Sequence, residues 1–139
     1  MEILLRIFVL FFVFVNFSYA IEYKDIREIS LKKDVQKKIL VKYDAGVRVF
    51  KFRWTLYVNE GLVVFHSYDK IVSQHILYLN HINQSFILYL QEPGTSLHVR
   101  PYVLVKFKKF DFKKNIATFE LFLYDKSSKI QMQYLKNDE

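Results

Sequence analysis

The residues able to do chemistry are few, and their spacing does little to help them. Four histidines stand at positions 66, 75, 81 and 98. A metal site built on one element needs ligands at short intervals, as in His-x-His or His-x-x-x-His. None of the four is placed that way, and His75 and His81 are six apart across the end of an expected strand. The spacing predicts packed or solvated histidines and no metal centre. Cysteine is absent, which removes thiolate nucleophiles, thiolate zinc sites, iron–sulfur clusters and disulfide staples together. The carboxylates Asp69, Glu92, Asp111 and Glu120 are dispersed, without the spacing of a paired acid and base. No nucleophile elbow, phosphate-cradling glycine loop or His-Glu-x-x-His helix occurs. The expectation is a protein that is not an enzyme and carries no cofactor.

What remains is charge and aromatic surface. The chain carries 21 basic and 14 acidic residues, a formal net charge of +7, and the excess is gathered in Lys32-Lys33, Lys37-Lys38, Lys106, Lys108, Lys109, Lys113 and Lys114. Lysine is a hydrated point charge rather than a planar fork for phosphate, and no aromatic-interleaved basic motif accompanies these clusters, so nucleic acid is not an expected partner. Scattered lysine pairs serve solubility; gathered ones also suit an anionic surface such as an acidic protein, lipid head groups or a cell-wall polymer. Tyr and Arg are enriched where proteins meet. The candidate partner-binding residues are therefore Arg53, Tyr57, Tyr68, Lys106, Lys108, Lys109, Lys113 and Lys114.

The elements that must position them alternate. In residues 47–58, Phe50, Phe52, Trp54, Leu56 and Val58 share one face, while Lys51, Arg53, Thr55 and Tyr57 share the other. That is the period of a half-buried strand. Asn59-Glu60-Gly61 reads as a three-residue hairpin loop with Gly61 free to take positive φ. Strands follow over residues 62–67, 72–79 and 86–90, with a turn at Tyr68-Asp69-Lys70. Glu92-Pro93-Gly94-Thr95-Ser96 breaks the chain. Residues 97–110 form a long strand whose first part Pro101 confines to an edge or bulge, and residues 116–124 and 129–135 complete the set. In residues 22–44 the apolar positions fit neither period cleanly, so an irregular segment ending in a strand near residues 39–43 is expected. About seven strands joined by short turns describe an all-β fold, an antiparallel β-sandwich, with a small β-barrel as the alternative.

Residues 1–20 have the layout of a secretory signal peptide: Arg6, an uninterrupted apolar run over residues 7–15, then Asn16, Ser18 and Ala20 before a cut after Ala20. The apolar run is shorter than the roughly 20 residues a spanning helix needs. The expectation is a single all-β domain over residues 21–139, exported to the periplasm and left without a membrane anchor. Lacking disulfides, it must be held together by burial, for which its Phe and Tyr content is ample.

The stretch Phe50-Lys51-Phe52-Arg53-Trp54-Thr55-Leu56-Tyr57-Val58-Asn59-Glu60-Gly61-Leu62, with the Phe-rich leader and the Lys-, Ile- and Phe-rich remainder, resembles small periplasmic proteins of epsilonproteobacterial type. Some of those associate with the periplasmic scaffold of the flagellar motor. The resemblance implies a bacterial periplasmic home and an accessory role, and carries no functional residue with it. The function expected is that of a non-enzymatic accessory protein docking onto a larger envelope assembly; the alternative is a carrier of an apolar ligand or lipid inside a β-barrel.

Overall fold

Alternating apolar and polar side chains bury one face of an extended segment and solvate the other, and this pattern governs the fold. The computed structural model describes residues 20–91, 100–127 and 129–137. Among them are nine strands and no helix: β1 (Asp25–Lys32), β2 (Lys37–Tyr43), β3 (Gly46–Val58), β4 (Gly61–Tyr68), β5 (Ile71–Tyr78), β6 (Ser85–Tyr89), β7 (Tyr102–Asp111), β8 (Ile116–Tyr124) and β9 (Gln131–Tyr134). The leader as far as residue 19, the Pro93-Gly94 break and the start expected for the seventh strand at residues 97–99 lie outside the described residues.

The strands form two antiparallel sheets, in the orders β1-β8-β7-β6 and β5-β4-β3-β2-β9. The sheets do not join into a closed barrel, and the molecule is a β-sandwich. Its interior is filled by side chains from both inner faces. Phe50, Phe52 and Trp54 of β3 meet Phe107 of β7 and Phe119 of β8, all essentially inaccessible to water. Phe52 meets Phe119 edge to face at 5.3 Å, and Trp54 meets Phe110 in the same way at 5.4 Å. Each such side chain contributes roughly 1.5–3 kcal/mol by leaving water. The Trp54 indole N–H also donates to the carbonyl of Leu31, 2.8 Å away in the other sheet. The barrel that an internal carrier cavity would require is not formed.

Four expectations about the chain are corrected. Residues 25–32 are a strand rather than an irregular segment. The alternation there was hidden because Ile26 faces out and is 56% exposed, while Arg27 on the opposite parity lies over the Tyr134 ring at 4.7 Å. In β3 the register shifts between Trp54 and Leu56. This bulge puts one extra residue in the strand and reverses the faces beyond it. Leu56 and Val58 are turned outward, and Tyr57 is turned inward against Phe110, rings 4.2 Å apart. The β3–β4 hairpin turns on two residues, Asn59 and Glu60, with φ of 50° and 65°. Gly61 is already in β4, opposite Val58, and a Cβ there would lie 3.0 Å from Ile76 Cγ2. Finally, Pro101 precedes β7, which is an internal strand of its sheet and not an edge.

Candidate functional site

Sheet register decides which exposed side chains stand together. On the outer face of the four-stranded sheet, Ile87 of β6 is opposite Leu104 of β7, Leu104 is opposite Phe122 of β8, and Phe122 is opposite Ile26 of β1. The result is an apolar row crossing all four strands. Beside it runs a tyrosine row, with Tyr89 opposite Tyr102 and Tyr102 opposite Tyr124; the last two rings stack at 5.0 Å. Tyr23 packs on Phe122 at 5.1 Å and extends the aromatic surface toward the chain start. Burial raises the Tyr102 hydroxyl to about 12, the neighbouring tyrosines adding to it, so Tyr102 is neutral at physiological pH.

The next row on the same face is charged: Lys106 is opposite Glu120, which is opposite Glu28. A bulge between Phe107 and Lys109 follows, and at it the Lys108 ammonium reaches Glu28 Oε2 at 2.6 Å. That contact holds the Glu28 carboxyl below its ordinary value. The strand then runs into the β7–β8 turn, where Asp111 Oδ1 accepts the backbone N–H groups of Lys113 and Lys114 at 3.0 and 3.1 Å. The five lysines singled out from the sequence thus occupy one end of one sheet and its hairpin.

The other three candidates are not on that outer surface with them. Arg53 is exposed on the outer face of the five-stranded sheet, opposite Phe65. Tyr57 points inward because of the β3 bulge. Tyr68 is only 8% exposed, since β4 sends its even-numbered side chains into the sandwich; its hydroxyl donates to the Leu90 carbonyl at 2.8 Å.

The histidines hold an arrangement that sequence spacing concealed. His66 of β4 and His75 of β5 face each other Nε2 to Nε2 at 2.8 Å, their rings within 8° of parallel. Phe86 of β6 lies over both, at 4.6 and 4.3 Å between centroids. Burial lowers both imidazoles, His66 to about 4, with a further push from His75. Both rings are therefore neutral at pH 7 and share one hydrogen bond. His66 Nδ1 is buried with no partner among the described residues. No group of three or more potential metal ligands occurs among those residues. The missed signal was the turn: a two-residue loop at Asp69-Lys70 places Tyr68 opposite Ile71 and Val64 opposite His75, which puts His66 and His75 diagonally adjacent on the inner face.

Next to His66 a cleft of about 220 Å³ opens between the sheets, lined by Arg48, Tyr68, Ser73, Leu88, Gln91 and Arg100 among others. Arg48 pairs with Asp69 at 3.6 Å, and Arg100 lies 3.9 Å over the Tyr89 ring.

The chain matches no protein-family model, no curated protein and no solved structure. Function must be argued from its own surface. Among the described residues no helix is long and apolar enough to cross a membrane.

Proposed function

We propose that the protein is a non-enzymatic accessory module of the bacterial periplasm, which docks onto a larger envelope assembly through the outer face of its four-stranded sheet. What supports this is the row Ile26–Phe122–Leu104–Ile87 with the tyrosine row beside it. Ile26, Ile87 and Tyr89 are each about half exposed, and contiguous exposed apolar surface of this kind is what protein interfaces use. The surface grades into Lys106, Lys108, Lys109, Lys113 and Lys114, against which stand Glu28, Glu120 and Asp111. A partner that fits is a protein with an apolar strip bordered by carboxylates. The apolar strip supplies affinity, while the lysines steer the approach and set orientation. The leader gives the address, and the resemblance to periplasmic proteins of epsilonproteobacterial type makes the flagellar motor scaffold the first assembly to look in.

The test uses the tagged full chain, recovered from gently solubilised envelope after light-induced crosslinking from position 87. A protein captured there, and lost when Lys106, Lys108 and Lys109 are all changed to Gln, carries the reading. Capture from position 72 on the opposite sheet, with none from 87, overturns it.

A further inference from the structure

We propose that the cleft between β4, β5 and the end of β6 is a binding site for a small organic carboxylate. The proposal does not rest on the docking face. Three features converge there. Arg48 of β3 and Arg100, just ahead of β7, bring guanidinium groups to the rim from opposite sheets. Asp69 engages Arg48 at 3.6 Å, but a guanidinium has five N–H donors and is not exhausted by one carboxylate. Arg100 donates to the Gln91 carbonyl at 3.5 Å and is otherwise seated on Tyr89. Among the described residues, one carboxylate stands against two guanidinium groups, which leaves the cleft with room for a second anion.

The second feature is His66. It is 7% exposed, lines the cleft, and leaves Nδ1 without a partner among the described residues. That atom is closed to water in the structure, so a ligand seated in the cleft reaches it by a small shift of the wall, and reaching it relieves the cost of a buried polar atom left unpaired. Neutral imidazole carries one N–H. When His75 donates in the Nε2–Nε2 hydrogen bond, the His66 N–H must sit on Nδ1. A carboxylate oxygen accepting from Nδ1 selects that tautomer, and the His75 bond holds the ring in place. The third feature is the wall itself: Ile71 and Leu88 are apolar, so the site takes an anionic head with a short hydrocarbon tail. The volume, about 220 Å³, is below the roughly 300–1,000 Å³ typical of pockets for larger ligands, and limits the occupant to a small molecule.

The experiment is a titration of the intact protein followed by long-range proton–nitrogen correlation of the imidazoles, which reads the tautomer of each ring. The probes are hexanoate, hexanamide and inorganic phosphate. Expected is a saturable change at His66 with hexanoate, bringing Nδ1 to its protonated form. Hexanamide, with the same tail and no charge, should bind at least roughly tenfold more weakly, as loss of a charged hydrogen bond implies. Arg100→Gln and Arg48→Gln should each weaken hexanoate while leaving the His66–His75 bond intact in the free protein. No saturable change with hexanoate at millimolar concentration overturns the proposal. So does equal binding of hexanamide, and so does binding of phosphate alone.

Discussion

His66 and His75 share a single hydrogen bond, Nε2 to Nε2 at 2.8 Å, beneath the face of Phe86. Burial opposes protonation of either ring, and protonating both would break the bond, because two imidazolium groups have no lone pair to share and would repel. Folded His66 titrates at about 4, against 6.5 for the ordinary group. Between those values the unfolded chain binds the extra proton and the folded chain does not. The stability from this group is therefore complete above pH 6.5 and is lost as pH falls toward about 4. The full loss is on the order of 3 kcal/mol, and His75, shifted in the same direction, adds to it. Urea midpoints measured across this window should fall steadily with pH. His66→Leu should flatten that slope; an unchanged slope would place the acid sensitivity elsewhere.

Trp54 joins the two sheets through the Leu31 carbonyl. Trp54→Phe keeps an aromatic ring in the core but leaves that buried carbonyl unpaired and a gap where the indole was. A loss of about 2–3 kcal/mol is expected, read as a lower urea midpoint with the native β-sheet spectrum retained.

Glu60 holds φ of 65° in a two-residue turn that favours Asn-Gly. Glu60→Gly should stabilise the protein by about 1 kcal/mol, since glycine bears no Cβ penalty in that conformation. Gly61→Ala, one residue on, should do the opposite, because its Cβ would meet Ile76 Cγ2 at 3.0 Å and Tyr78 Cε1 at 3.1 Å. Thermal melts of the two variants check the pair, and shifts of the same sign would contradict this account of the turn.

Asp125 organises the chain between β8 and β9. Its Oδ1 accepts from the Ser127 hydroxyl and N–H, its Oδ2 accepts from the Ile130 N–H, and Lys24 is 3.6 Å away. Burial pushes this carboxyl up, but those donors and the lysine outweigh it and hold it below its ordinary value. Its contribution is thus present above the ordinary value of 3.8 and is lost as pH falls below it. Asp125→Asn keeps the shape and removes the charge, and should cost about 2 kcal/mol at neutral pH. The difference from the parent should shrink in acid.

Much of the fold was legible because alternation was strong wherever one face was wholly apolar. The inward sets Phe50, Phe52, Trp54 and Val103, Val105, Phe107 carry β3 and β7 without ambiguity. β1 was not legible, because its outward Ile26 and inward-parity Arg27 invert the pattern for reasons that lie in β8 and β9. The face of Tyr57 was misread because a bulge carries no residue signature of its own. Tyr68 was misjudged as surface because its burial depends on Leu90 accepting its hydroxyl from the facing sheet. The lysines gathered at β7 and its hairpin were close in sequence and stayed close in space. The apolar and tyrosine rows, and the His66–His75 pair, are products of register between strands. Only the second of these could have been worked out in advance, from the length of one turn.

The pairing order bears on how the chain reaches this state. β1 comes first in chain order among the described strands, yet its neighbour is β8, with Ile29 opposite Phe119, and β2 gains its second neighbour only from β9. The β3–β4–β5 meander closes on itself as it emerges, but the sandwich waits for residues 116–134. Pairing between such distant segments is slow, on the order of milliseconds to seconds. β1 therefore has no strand to pair with until residues 116–124 are made, and before that it can meet the meander through the Leu31 carbonyl, which accepts from Trp54.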